Sequence, residues 1–364
     1  MILYITRKFP PSIGGMQRFN AKLSSNLQSL TKVHLIAWGG SQAFLPVFLP
    51  CAFLRALLVS WTSPVRVIYV SDGLLAPLGL LLKCLTGKPV IANIHGRDIA
   101  FSLKVYQLVV PWCLRHLDQV ICVSHALKEE CIKRGVAAKK LEVIPNGINV
   151  QDFVIKGAWD REGEYLQLTG QPRNGRKVLL TVGRLVAKKG VLHFLENILP
   201  EIIKKKPEIV YLIVGSGPLK DTVALAIREK HLQKNAILVG DVAMSGDSLA
   251  RVYKLSDLFV MPNIPVAGDM EGFGIVALEA AAAGIPVVAS KVDGITEAVH
   301  NGHNGLLIPH DDTGNFARIV LDILDNPEHR DFGKQAKDYV AEHFSWDTIA
   351  RQYLAVFNRV SGKE

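Results

Sequence analysis

The 364-residue chain is 49% hydrophobic and 21% charged, the composition of an ordered globular protein long enough for two domains with a core each, which excludes a disordered or fibrous chain. Its net charge of +9 is carried wholly by the first 170 residues, where 19 basic side chains stand against 10 acidic ones; the remainder holds 23 of each. Five cysteines, odd in number and without a C-x-x-C pair, exclude a disulfide framework or zinc site and indicate a reducing cytoplasm, while 7% aromatics with no interleaved basic run exclude nucleic acid as a partner.

From the N-terminus, short apolar runs at 2–5, 33–37, 65–70, 90–94, 119–123 and 141–144 alternate with helical stretches. Continuous apolar strands between helices predict a parallel sheet covered on both faces. The chain opens in a strand rather than in a charged segment followed by an apolar signal core. After the first run, Gly14 and Gly15 precede a helical pattern from Met16, and paired glycines there let backbone approach a phosphate or sugar. Residues 43–61 are strongly apolar but broken by Pro46 and Pro50 and carry Arg55, too interrupted to span a bilayer. They read either as an interfacial helix, aided by the surrounding basic charge, or as a core helix. That charge suits a phospholipid surface or a phosphorylated substrate, or serves solubility alone. After the fourth run, His95-Gly96-Arg97-Asp98 sets an imidazole and a guanidinium at a strand end, where His95 can hydrogen-bond a reacting sugar or serve structure.

Residues 155–176 have a linker composition, which places a boundary near Gly170 between domains 1–170 and 171–364, with the last helix able to pack back on the first. The second half repeats the pattern at 178–182, 210–214, 236–239, 258–261, 286–289 and 306–308, so two doubly wound domains are expected. In such sheets ligands bind at the carboxyl ends of strands. There, Gly183-Arg184 with Lys189-Gly190 offers a bidentate guanidinium, a mobile ammonium and a helix start for a diphosphate. Gly215-Ser216-Gly217 makes another glycine turn.

Further along, Glu271-Gly272-Phe273-Gly274-Ile275 leads into a helix on which Glu279 is the only ionisable side chain between Gly272 and Ser290. Burying an unpaired charge costs several kcal/mol, so Glu279 must face solvent, meet a cation or bind a polar ligand. The helix start presents free N–H groups to an anion and the two carboxylates suit sugar and ribose hydroxyls, which together describe a nucleoside diphosphate sugar. A buried ion pair at Glu279 is the other reading. Neither G-x-G-x-x-G nor G-x-x-x-x-G-K-[ST] occurs, against a dehydrogenase or a phosphate-loop enzyme. Asp269-Met270-Glu271 has the look of a metal-binding triplet, but with Arg184, Lys189 and a helix N-terminus to neutralise a diphosphate, no metal is required.

These motifs, together with Pro145-Asn146-Gly147-Ile148, Gly284 to Ser290 and Gly294-Ile295-Thr296-Glu297, resemble family 4 (group 1) retaining glycosyltransferases of the GT-B fold over nearly the whole chain. The carboxylates Glu271 and Glu279, eight positions apart, are the most specific part, and Asn149 departs from the aspartate common at that position. The resemblance implies an α/β GT-B architecture, two Rossmann-like domains facing a central cleft. It implies that Arg184 and Lys189 hold the diphosphate, Glu279 the ribose and Glu271 the donor sugar, with amides from Gly272, Phe273, Gly274 and Ile275 and the turn at Gly215 completing the donor site. Gly15 would approach the diphosphate from the first domain, and His95 would contact the sugar near its reacting carbon. Gly14, Arg97 and Asn146 are the acceptor-side candidates.

The expected activity is transfer of a hexose-type sugar from a nucleotide diphosphate sugar, with retention and without a cofactor, to a sugar or lipid-linked glycan in cell-envelope polysaccharide or glycolipid synthesis. The expected location is cytoplasmic, with peripheral contact to an anionic membrane. A sugar-nucleotide epimerase of the same architecture and a non-catalytic nucleotide-sugar-binding module are the alternatives.

Overall fold

The computed structural model describes residues 1–101, 103–241, 246–326 and 329–362, with the side chains of Arg97, His329 and Arg330 outside them. Its strands form two six-stranded, all-parallel sheets. The first contains β1 (Ile2–Thr6), β2 (Val33–Ala37), β3 (Val67–Val70), β4 (Val90–Ile94), β5 (Gln119–Cys122) and β6 (Leu141–Val143), in the order β2-β1-β3-β4-β5-β6. The second contains β7 (Val178–Val182), β8 (Val210–Val214), β9 (Ala236–Gly240), β10 (Leu258–Met261), β11 (Val287–Ser290) and β12 (Leu306–Ile308), in the order β12-β11-β10-β7-β8-β9. The central strands are buried along their full length, which explains why their sequences run apolar without alternation: both faces carry helices.

Chain crossings divide the molecule into two compact units, 1–147 with 346–364 and 148–345. The boundary expected near Gly170 therefore falls at Gly147/Ile148. Residues 155–176 are polar because they are tied down by polar contacts, not because they link. Asp160 caps the helix Arg161–Thr169 by accepting from the Gly163 N–H at 3.1 Å, and Tyr165 is fully buried. Arg161 donates to the Leu255 and Ser256 carbonyls, and Arg173 pairs with Asp257 at 2.9 Å. The helix Trp346–Val360 belongs to the first unit, where Tyr353 and Phe357 pack in one cluster with Tyr4, Phe19 and Tyr69.

Each sheet reverses its direction of growth once. In the first unit this happens between β1 and β3, in the second between β7 and β10, and the loops leaving those strands open at the point where ligands bind in open parallel sheets. Of the apolar stretch 43–61, expected to be interrupted, all but the first two residues lie in one helix, Leu45–Thr62. Pro46 lies in its first turn, where a missing N–H costs nothing, and Pro50 is accommodated inside it. By length and composition this helix could cross a membrane. As the connection between parallel β2 and β3, however, it lays Phe48, Ala52, Ala56 and Ser60 inward, buried in the first unit.

Candidate functional site

In the second unit the loops after β7, β8 and β10 meet at the switch point. Two glycines record how closely. At Gly190 (φ 65°) a Cβ would lie 1.8 Å from the Pro262 carbonyl oxygen, and at Gly215 (φ 135°) it would lie 2.0 Å from that of Gly183. Only a residue without a side chain fits either place. The Ile264 N–H donates to the Lys188 carbonyl at 3.1 Å, joining the two central loops.

This packing brings together side chains some 80 positions apart in sequence. Lys189 Nζ is 2.6 Å from Glu271 Oε2, and Lys188 Nζ is 2.9 Å from Asp269 Oδ1 and 2.8 Å from the Met270 carbonyl. Burial alone would raise the Glu271 carboxyl pKa, but Lys189, then Lys188 and the Asn263 amide at 3.2 Å, outweigh it and hold the group below its ordinary range. Glu271 is therefore an anion at neutral pH, and Asp269 and Glu271 are each bound to a lysine. Its backbone is fixed as well: its N–H donates to Asp293 at 2.9 Å and its carbonyl accepts from Gly294 at 3.0 Å.

Arg184 is exposed, and among the described residues its guanidinium has no hydrogen-bond or ion-pair partner. Gly274, in the left-handed region at φ 90°, starts the helix Ile275–Ala282 with no side-chain cap. Among the described residues the amides of Gly272, Phe273, Gly274 and Ile275 find no acceptor within the protein. An unpaired guanidinium in the loop after β7 and a run of free amides at a helix start after β10 are each suited to an anion. One turn into that helix, Glu279 is 2% exposed and accepts from the Tyr253 hydroxyl at 2.8 Å.

In the first unit the switch-point loops carry a different chemistry. Gly14 precedes the helix Gly15–Leu30 without a side-chain cap, and a Cβ at Gly15 would meet nothing within 4 Å, so open space lies over that backbone. His95 Nε2 lies 2.8 Å from Asn93 Nδ2 and 3.1 Å from the Ser71 carbonyl, and Phe19 meets the ring edge-on with centroids 4.6 Å apart. Burial pushes the His95 pKa down to about 4, against a smaller upward pull from Asp72. The imidazole is neutral at pH 7 and can give or take a hydrogen bond without bringing charge. Asp98 accepts from the amides of Gly73, His95 and Gly96 and so ties the loops after β3 and β4 together; burial raises its pKa against those bonds. Asn146 has a buried side-chain oxygen with no partner. The Arg97 side chain lies outside the described residues.

Of the predicted residues the structure thus sets Arg184, Lys189, Gly215, Glu271 to Ile275 and Glu279 in the loops after β7, β8 and β10 and the helix that follows, joining Lys189 to Glu271, and sets Gly14, Gly15 and His95 in the first unit. Sequence reasoning missed Lys188, Asn263, Tyr253 and Asp293 in the former and the Arg7–Asp72 pair (3.0 Å) in the latter, and it gave Asp98 no role. Asn263 had a legible signal, since it stands two residues after the β10 run. It is 1% exposed, and its Oδ1 is left without a donor.

Comparison with known proteins identifies the family. The family described as Glycosyltransferase Family 4 matches residues 13–152, and that described as Glycosyl transferases group 1 matches residues 176–326. An uncharacterized glycosyltransferase of Methanocaldococcus jannaschii is 31% identical over 80% of this chain and 74% of its own. A GDP-mannose-dependent alpha-(1-6)-phosphatidylinositol monomannoside mannosyltransferase of Mycobacterium tuberculosis is 28% identical over 98% of each chain. Among solved structures, HepE of Anabaena in complex with UDP superposes with TM-score 0.76 at 19% identity over 98% of this chain and 99% of that one. Sucrose-phosphate synthase of Thermosynechococcus elongatus gives 0.77 at 20% identity over 99% of each.

Proposed function

This chain belongs to the family 4 (group 1) glycosyltransferases of the GT-B fold, and from that membership we propose that it moves a hexose-type sugar, with retention, from a nucleotide diphosphate sugar to a sugar or lipid-linked glycan acceptor. The reading is carried by exposed, unpartnered Arg184 and the free amides from Gly272 to Ile275, which it joins into one cradle for the diphosphate. As the bond from the sugar's C1 to the diphosphate breaks, negative charge grows on the phosphate oxygens, and preorganised donors aimed at that charge supply the largest catalytic contribution. The acceptor oxygen bonds to C1 on the face the diphosphate leaves, and its proton goes with the departing oxygens.

Glu271, held anionic by Lys189, accepts hydrogen bonds from the donor sugar's hydroxyls, while Glu279 takes those of the ribose. Lys189, steered by Glu271, adds positive charge beside the leaving group, and the close turn at Gly215 bounds the nucleotide. His95, uncharged at pH 7, contacts the sugar near C1 as a hydrogen-bonding group, and Gly15 leaves room for the donor. Gly14, Arg97 and Asn146 serve the acceptor. The diphosphate is neutralised by these groups without a metal.

A lipid-linked acceptor is supported by the basic excess of the first half and by the full-length likeness to a mannosyltransferase whose name specifies a phosphatidylinositol mannoside. Such a role fits envelope polysaccharide or glycolipid synthesis at the inner face of the cytoplasmic membrane. The test is radiolabelled transfer from a panel of UDP-, GDP- and ADP-sugars to extracted lipid-linked glycans, followed by anomeric analysis of the product by NMR. A labelled product with the donor's anomeric configuration is expected. Donor epimerised without any acceptor, or bound with no turnover, would overturn the reading.

A further inference from the structure

The first unit leaves apolar side chains in water where a helix facing solvent should be polar. On Leu45–Thr62, Val47, Leu54, Leu58 and Trp61 are 63%, 64%, 59% and 63% exposed. Their spacings of seven, four and three residues put them on one stripe, opposite the buried Phe48, Ala52 and Ala56. The helix Lys104–His116 repeats the arrangement, with Val105, Leu108, Val109 and Trp112 exposed at i, i+3, i+4 and i+7 while Val110, Cys113 and Leu114 are buried. Between them lies Ala76–Thr86, packed against both, with Leu81 and Leu85 exposed. Three neighbouring helices therefore present one continuous apolar face.

Charge identifies what covers it. Across residues 42–116, which contain all three helices, the only acidic side chains are Asp72 and Asp98, and both are buried. Arg55, Arg66, Lys104 and Arg115 are exposed. The first unit as a whole holds 20 Lys+Arg against 8 Asp+Glu, the second 22 against 25. A second copy of the chain placed on this face would set cation against cation. An anionic lipid headgroup layer meets both the positive rim and the apolar centre. Trp61 and Trp112 are side chains suited to the boundary between acyl chains and headgroups.

We propose that the outer face of the helices Leu45–Thr62, Ala76–Thr86 and Lys104–His116 seats the first unit in an anionic bilayer, to a depth of about 5–10 Å and without spanning it. The surface rests on the lipid-linked acceptor reading for its purpose: it holds the enzyme in the plane where such an acceptor resides.

The full chain is sedimented with phosphatidylcholine vesicles containing phosphatidylglycerol and with phosphatidylcholine vesicles alone, alongside the double variant Leu58→Glu/Leu108→Glu and the rim variant Arg55→Glu/Lys104→Glu. Binding to the anionic vesicles alone is expected, weakening as salt rises. The double variant should lose roughly tenfold or more in partitioning per substituted leucine, and the rim variant should lose its preference for anionic lipid. Transfer to a detergent-dispersed acceptor and the thermal midpoint should be unchanged in both variants. Wild-type chain that ignores anionic vesicles, a double variant that binds as wild type does, or a dimer of the wild type that the double variant breaks would each overturn the docking surface. Absence of transfer by the wild type to any acceptor would instead strike at the glycosyltransferase reading, with vesicle binding left standing.

Discussion

The two units share a six-stranded parallel sheet with one reversal, yet they clothe it in opposite ways. Of 17 large hydrophobic side chains exposed among the described residues, 14 belong to the first unit and only Val154, Leu166 and Leu225 to the second, although the second is the longer. The polar groups diverge too. At its switch point the second unit sets ion pairs and free amides, with Lys189–Glu271, Lys188–Asp269 and exposed, unpartnered Arg184 in adjoining loops. The first buries a neutral imidazole and two carboxyls whose pKa values are raised by burial. One scaffold thus carries paired and unpaired charges in the loops of one unit and buried, uncharged or proton-holding groups in those of the other, and the difference lies in the loops and outer helix stripes rather than in the sheets.

The comparison breaks most sharply at Arg184. Arg184→Ala should lower kcat/KM by roughly 100- to 1,000-fold, as for loss of one preorganised transition-state donor. Its melting temperature should stay at the wild-type value, because the side chain is exposed and touches no partner. Near-normal turnover in steady-state assays would contradict the cradle. At Gly190, alanine brings a Cβ to 1.8 Å from the Pro262 oxygen at a positive φ. Chemical denaturation should show a loss of roughly 3 kcal/mol.

His95 sharpens the contrast through pH. Its folded pKa of about 4 lies below the unfolded value near 6.5, so the unfolded chain binds the extra proton and stability falls as pH drops between those values. Asp72 and Asp98, with raised pKa values, act in the opposite direction, so the informative quantity is the difference between wild type and His95→Gln. That difference should change with a slope of up to about 1.4 kcal/mol per pH unit in this window and flatten above it. A difference independent of pH would show the imidazole to be solvated. The smallest effect is expected at Tyr253→Phe, which removes a donor from buried Glu279 and should cost about 1–2 kcal/mol in thermal unfolding.

Strand positions were legible because buried parallel strands are continuous apolar runs, and the runs at 178–182, 210–214 and 258–261 coincide with β7, β8 and β10. The glycine turns and the lone glutamate on an apolar helix were legible for the same local reason, each being a departure from the residues around it. What escaped was non-local. Lys189 and Glu271 are 82 positions apart, and Tyr253 reaches Glu279 from a helix 26 positions earlier, so neither partnership leaves a periodic trace. Polar composition at 155–176 misled because polar residues that anchor a segment, such as Arg161 and Arg173, look in sequence like those that solvate a linker. At residues 45–62 the outward stripe was hidden by the inward one, since an apolar residue on either face adds equally to the run.

The most direct measurement is a crystal structure of the full chain with UDP, GDP or ADP, whichever gives the largest thermal shift. The diphosphate is expected against Arg184 and the amides of Gly272 to Ile275, with the ribose at Glu279. A nucleotide bound with its phosphates away from Arg184 and that helix start would contradict it.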